Sequence, residues 1–281
     1  MSAALPSTGV SFRTFALRVV ASETLEEKLE SPSDGLTDSS PGPALCFLGP
    51  GRPPRLRIVA CDEARVPSIE GMADPAQRPR ILHALANHEL QAAELFAWAL
   101  LAFPDAPAEF RAGLARLAAE EQRHCRMYIE RMAQFGVGMG DLPVSGYFWG
   151  KIRGLTTPLR FVCAMGLTFE NANLDHTTEY ARAALSAGDR ATAALLERVF
   201  RDEIEHVRFG WRWLIEWKQN VQSAWDAYCA NVAWPLRGAL ARGPRFHPEG
   251  RIAAGLDPSF IRSLAEVERD FSSSSAAAPG A

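Results

Sequence analysis

Four long stretches of this chain place apolar residues at helical spacing. Leu82, Leu85, Ala93, Phe96 and Leu100 make one stripe, and Leu114, Leu117, Tyr128 and Met132 a second. Val162, Leu167, Leu174 and Ala181 make a third; Leu195, Leu196, Val199, Val207 and Leu214 make a fourth. Recurrence at three and four residues marks helices with one face turned to a core. The pattern predicts helices over 76–103, 106–135, 158–187 and 190–219. The breaks carry turn chemistry. Phe103-Pro-Asp-Ala-Pro107 holds two helix breakers, with Asp105 as the expected N-cap of the second helix. Ser186-Ala-Gly-Asp-Arg190 offers Gly188 for a helix C-terminus and Asp189 for the next N-cap. The helices therefore pair as two hairpins. The glycine-rich stretch from Gly136 to Thr157 has to carry the chain to the other end of the helices, as a long crossover between hairpins that run parallel.

The expected fold class is all-α: a four-helix bundle over 76–220, with an N-terminal arm at 1–75 and a C-terminal helical extension at 221–271. Residues 272–281 read as a disordered tail. In the arm, Thr14 to Leu29 reads as one helix, 31–56 as a Pro-, Gly- and Ser-rich linker, and Arg55 to Ala60 as a short strand. Residues 222–241 look helical. Arg242-Gly-Pro then breaks the pattern, and Asp257-Pro258 opens a last short helix.

Each apolar stripe carries one glutamate. Glu89 is followed 32 positions later by Glu121, which opens Glu121-Gln-Arg-His124; Glu170 is followed 33 positions later by Glu203, which opens Glu203-Ile-Glu-His206. Each unit is a Glu on a first helix and a Glu-x-x-His on the second. The midpoints of the two spacings fall inside the two turns, so the paired residues sit level, about 24 Å from their turns at the helical rise. Residues three apart share a helix face, so each Glu and its His point the same way. Glutamate is rarely buried unless paired or metal-bound. Four converging carboxylates would repel one another, whereas two divalent cations balance their charge and leave the imidazoles neutral. Four carboxylates and two imidazoles are the ligand set of a dinuclear metal site in a helical bundle.

Composition narrows the partners. A formal charge of −3 gives no overall pull toward nucleic acid or an anionic membrane. Five cysteines, odd in number and without Cys-x-x-Cys spacing, read as reduced thiols in a cytoplasmic protein, with Cys125 and Cys163 as small core residues. No apolar run is long enough for a membrane span, and Arg13 and Arg18 interrupt the one N-terminal stretch that approaches a signal-peptide core.

With these residues in view, the chain resembles the ferritin-like superfamily of bacterioferritin and rubrerythrin type. Glu121-Gln-Arg-His124 with Tyr128-Ile-Glu-Arg-Met132 is similar to the second helix of bacterioferritin, and Arg201-Asp-Glu-Ile-Glu-His206 to its fourth. The resemblance spans about residues 80–218. It is closer still to a little-characterised bacterial branch, through Leu82-His-Ala-Leu-Ala-Asn-His-Glu-Leu-Gln91, Gly140-Asp-Leu-Pro143, Asp202-Glu-Ile-Glu-His-Val207 and the segment from Arg245-Phe246 to Arg251-Ile-Ala-Ala-Gly255. The resemblance implies that Glu89, Glu121, His124, Glu170, Glu203 and His206 bind two iron ions, or a Mn/Fe or Mn/Mn pair. Glu121 and Glu203 would bridge, and Glu89 and Glu170 would be terminal.

Around this set, Asp175 and His176 are either groups that support a ligand or solvent-facing residues one turn away. Tyr128 either hydrogen-bonds near the site or packs. His88 points away from Glu89 on the helix and reads as structural. Trp211, Trp213 and Trp217 suggest an electron path or, more simply, packing. The expected activity is a non-haem dinuclear-metal oxidase or oxygenase using dioxygen, an unidentified small-molecule substrate and an unidentified electron donor. The catalytic group is the metal centre itself, and the extra segments suit a roof or a homodimer interface. Ferroxidase or peroxide detoxification, a metal-stabilised scaffold, and tRNA hydroxylation are the alternatives. The local basic segment of Arg237, Arg242, Arg245 and Arg251 is weak support for the last.

Overall fold

A computed structural model describes residues 9–32, 35–232 and 236–267, so the expected tail at 272–281 lies outside the described residues. The fold is predominantly helical. Its long elements are α3 (Arg78–Ala102), α4 (Ala108–Ala133), the consecutive pair α5 (Pro158–Ala164) and α6 (Glu170–Ser186), and α7 (Arg190–Trp217). Before them come α1 (Phe12–Ala21) and α2 (Leu25–Leu29), two short helices where one was expected. Thr24 ends the first run, because its side chain caps α2 by accepting from the Glu27 N–H. After them come α8 (Ala224–Asn231), α9 (Pro248–Ala253) and α10 (Pro258–Glu266). The helix expected over 222–241 stops at Asn231 and gives way to a single 3-10 turn at Gly238–Ala241. The fold is not purely α. Ile58–Val59 (β1) and Val144–Ser145 (β2) pair in parallel, joining the arm to the crossover.

α3 packs on α4, and α6 on α7, as two antiparallel hairpins. They do not run parallel to each other, as the sequence had suggested. Asp189, in the second hairpin's turn, bonds Arg78 at the start of α3 (3.0 Å) and Arg131 near the end of α4 (2.7 Å). Phe103, in the first turn, packs edge-on against Phe161 of α5, and Phe110 of α4 packs against Trp217 at the end of α7. The two turns therefore lie at opposite ends. A crossover that spans the full helix length starts α5 where α3 ends, which forces this arrangement.

The turns use different chemistry. Gly188 adopts a positive φ of 77°, and the Asp189 carboxylate accepts the Thr192 N–H as N-cap. In the other turn Asp105 does not cap. Pro107 holds that position without a side-chain bond, and Arg111 reaches back to the Leu100 and Phe103 carbonyls. α3 is buried nearly all round. Its outward polar residues are covered by the arm and the crossover: Asn87 donates to the Ser145 carbonyl (3.0 Å), Gln91 accepts the Phe148 N–H (3.1 Å) and His83 accepts the Gly140 N–H (3.0 Å). Glu94 is fully buried, pairing with Lys28 (3.0 Å) and Arg52 (2.7 Å) of the arm and accepting Trp149 Nε1–H of the crossover (2.8 Å). Among the described residues, no helix is long and apolar enough to cross a membrane.

Candidate metal centre

The last helix ladder before Glu170 is not regular. Met165–Phe169 form one π-turn between α5 and α6, in which the Glu170 N–H bonds the Met165 carbonyl five residues back. Thr168 satisfies the freed Cys163 carbonyl with its hydroxyl (2.8 Å), and that hydroxyl also pairs with Tyr228 Oη of α8 (2.8 Å). Gly166 in this turn lies against Gly210 of α7, one turn past His206. A Cβ on Gly166 would come within 2.9 Å of the Gly210 Cα. The π-turn thus brings α6 close to α7 just before Glu170, and such bulges concentrate at functional sites.

The structure brings all six sequence-predicted ligand residues together. Ligand atoms of Glu89, Glu121, His124 and Glu203 lie within 4.8 Å of one another, and so do those of Glu121, Glu170, Glu203 and His206. Glu121 and Glu203 belong to both groups. All six residues are buried, none more than 4% exposed. Each imidazole turns Nδ1 inward. His206 Nδ1 is 2.8 Å from Glu121 and 3.1 Å from Glu203; His124 Nδ1 is 3.4 Å from Glu121 and 3.8 Å from both Glu89 and Glu203.

The outer nitrogens find partners that the sequence reading passed over. His124 Nε2 lies 3.2 Å from Asp202, and His206 Nε2 lies 3.0 Å from Glu120. The pairing is crossed. Asp202 precedes Glu203 on α7 and holds the histidine of α4; Glu120 precedes Glu121 on α4 and holds the histidine of α7. Asp202 is itself fixed by Arg123 (2.9 Å) and Arg198 (3.1 Å). An Nε2–H donated to a carboxylate leaves the Nδ1 lone pair facing the centre and strengthens it as a ligand. The signal was present in the sequence, as an acid immediately before each Glu-x-x-His. Asn173, which donates to Glu203 (3.1 Å), left no such sign.

Electrostatics describe a site short of positive charge. Burial opposes charge on His124, yet Asp202, Glu121 and Glu89 outweigh it and raise its pKa well above the usual value. Burial likewise opposes charge on His206, and Glu203, Glu121 and Glu120 reverse it. Burial, then Glu121, pushes Glu89 well up; burial, then Glu203 and Glu121, does the same to Glu170. Glu121, though buried, is held low by His206 and His124. Both oxygens of Glu121, one each of Glu170 and Glu203, and Nδ1 of both histidines have no partner of hydrogen-bond geometry, despite the short ion-pair distances. Buried polar atoms are seldom left so. Their convergence makes a cluster of oxygen and imidazole donors that could hold a metal ion.

The other candidates fall out differently. Asp175 supports no ligand and does not face solvent. Its buried carboxylate accepts from both terminal guanidinium nitrogens of Arg251 (2.8 and 2.9 Å) and from the N–H groups of Gly243 and His247 (each 2.8 Å). It is the anchor of the C-terminal segment, because α6 meets that segment here and not the centre. The Tyr128 hydroxyl is buried without a hydrogen-bond partner, and burial, then Glu89, Glu203 and Glu121, pushes its pKa well up. His176 and His88 line a cavity; His88 also stacks on Phe148 (5.3 Å), and burial, then His176, lowers its pKa to about 4. His88 therefore has a place beside the site that its helical angle did not suggest. Trp213 and Trp217 pack with Phe110, and Trp211 with Phe260, so the packing reading describes them.

That cavity, of 230 Å³, opens on Glu89 and Glu170 between α3 and α6. The crossover supplies Tyr147 and Phe148, the π-turn supplies Phe169, and the C-terminal segment supplies Leu240. Phe148 and Phe169 stack at 4.4 Å.

Fold and site together define a helical protein with a buried carboxylate and imidazole cluster able to hold metal. Residues 12–262 match the family described as protein of unknown function (DUF455), and the chain belongs to that family. No curated protein and no solved structure matches it.

Proposed function

We propose that this chain is a ferritin-like four-helix bundle holding a dinuclear centre of iron, or of manganese with iron or manganese, that works as an oxidase or oxygenase on a small organic molecule. One observation carries the reading: two ligand groups share Glu121 and Glu203, and their unpartnered atoms converge. Glu89 and His124 would complete one metal position, and Glu170 and His206 the other. Two redox metals held by these six residues would supply the binding and reduction of dioxygen, with electrons from an external donor. Asp202 and Glu120 fix the imidazoles, and the apolar surroundings keep bulk water from the centre. Iron storage or ferroxidase action shares the ligands, but a cavity under an aromatic roof, ending on the terminal carboxylates, favours an organic substrate.

Metal analysis of protein from iron- and manganese-replete cells, with an aerobic absorption spectrum, tests this. About two redox metals per chain with a carboxylate-to-metal or oxo-bridge band supports it. No metal, or a redox-inert metal that Glu121→Ala fails to remove, overturns it.

A further inference from the structure

The cavity beside the centre has a definite chemical character. Its walls carry the aromatic side chains of Tyr147, Phe148 and Phe169 and the aliphatic side chain of Leu240, with His88, His176 and Asn173 as polar groups. Its floor is the carboxylate pair of Glu89 and Glu170. Among the described residues no lysine or arginine lines it; Lys151 lies over the Tyr147 ring at 5.0 Å, and Tyr147 forms the wall. A cavity of roughly 150 Å³ holds one benzene ring, and this one, at 230 Å³, has room for a ring with a short substituent. Room is left where α3 and α6 place Ala92 and Ala172 on the wall. An anion entering here would be desolvated against aromatic and aliphatic side chains, with no lysine or arginine on the described wall to pair with it. A flat neutral body can pack against the Phe148–Phe169 pair, Tyr147 and Leu240, and one polar group can reach an imidazole or the Asn173 amide.

We infer that this cavity is a substrate pocket for a small, neutral, aromatic or similarly flat molecule with one hydrogen-bonding group, and that it discriminates against anions. The inference rests on the dinuclear reading for its role in turnover, but the pocket belongs to this chain's own residues and binds without metal. Its roof comes from the crossover and the C-terminal segment, so these segments set size selection together with Ala92 and Ala172 on the ligand-bearing helices.

The test is calorimetric or NMR titration of the full chain, metal-free and zinc-loaded, with 4-methylphenol and with benzoate as probes. We expect 4-methylphenol to bind with Kd of about 1 mM or tighter, and benzoate to bind the metal-free chain at least roughly tenfold more weakly. Leu240→Trp should fill the pocket and weaken 4-methylphenol about tenfold or more, with metal content unchanged. Phe148→Ala should shift preference toward 2-naphthol, a change that mere loss of stability does not produce. No saturable binding to either form, equal binding of benzoate to the metal-free chain, or binding indifferent to both variants overturns the inference. Probe binding by a protein that takes up no metal upholds the pocket and removes the dinuclear reading. Normal metal uptake without probe binding does the reverse.

Discussion

The two sides of the site are built differently. On the α4–α7 side the helices meet directly, with Phe209 seated on Gly113, and the crossed pairs Asp202–His124 and Glu120–His206 lock both imidazoles. On the α3–α6 side the helices part around a cavity, and the roof is borrowed from the crossover and the C-terminal segment. Each roof is held by buried charge: Glu94 with Lys28, Arg52 and Trp149 for the crossover, Asp175 with Arg251 for the C-terminal segment. One side fixes both imidazoles, and the other leaves a cavity on Glu89 and Glu170. An antiparallel repeat explains this division, because it places the two Glu-x-x-His helices next to each other and leaves the two single-Glu helices to face the added segments.

The largest break is Glu121→Ala, which removes a group common to both ligand sets. We expect metal affinity to fall by more than roughly a hundredfold, beyond the loss typical of an outer partner. Thermal melting of the metal-free protein should fall as well, since His206 and His124 lose a buried carboxylate that faces both. A variant that still binds two metals tightly would refute the shared role.

Asp175→Ala attacks the open side alone. It strands Arg251 in the core and costs about 3–5 kcal/mol in stability, read by denaturant unfolding. Loading at saturating metal should remain near wild type, because Asp175 touches no ligand. Loss of both properties together would mean that the two sides are not separable.

On the closed side, Asp202→Asn or Glu120→Gln should lower metal affinity about 10–100-fold with little change in fold. Competition against a chelator measures it. The crossed geometry adds a sharper expectation: Asp202→Asn should chiefly perturb the position that contains His124, and Glu120→Gln the one that contains His206.

Acidity should act on the centre in one direction. The pKa values of His124, His206, Glu89 and Glu170 are raised in the metal-free protein, so protons compete with cations for these groups up to a higher pH than usual. Metal binding should therefore release protons and tighten as pH rises through neutrality. Calorimetry in two buffers of different ionisation enthalpy reports the release; an enthalpy independent of buffer would contradict it.

The smallest effect is expected at the far turn. Asp189→Ala removes an N-cap, about 0.5–2 kcal/mol, together with the bonds to Arg78 and Arg131. Because the Asp189 pKa is lowered to about 2, its contribution is fully present above the unfolded carboxylate value and fades as pH falls toward 2. The difference in melting temperature between Asp189→Ala and wild type should shrink over that acid range.

Much of this was legible in the chain because helices report themselves locally. Apolar recurrence marked α3, α4, α7 and the run from α5 to α6 to within a few residues, though not the π-turn that interrupts that run, and Gly188 and Asp189 marked the second turn. The doubled Glu and Glu-x-x-His spacing was enough to bring six residues level, since antiparallel helices of fixed rise convert sequence distance into height. The acids before each motif were equally visible. Their crossed partners were not, because a bond between helices depends on the angle at which they meet.

Periodicity, turn residues and motif spacing thus determined the helices, the pairing into hairpins and the identity of the converging groups. Tertiary structure decided the opposed direction of the hairpins, the π-turn at Met165–Phe169, the burial of Asp175 against Arg251 and the cavity under Phe148 and Leu240. Each of these depends on contacts between segments far apart in the chain, where packing and charge compensation override local preference.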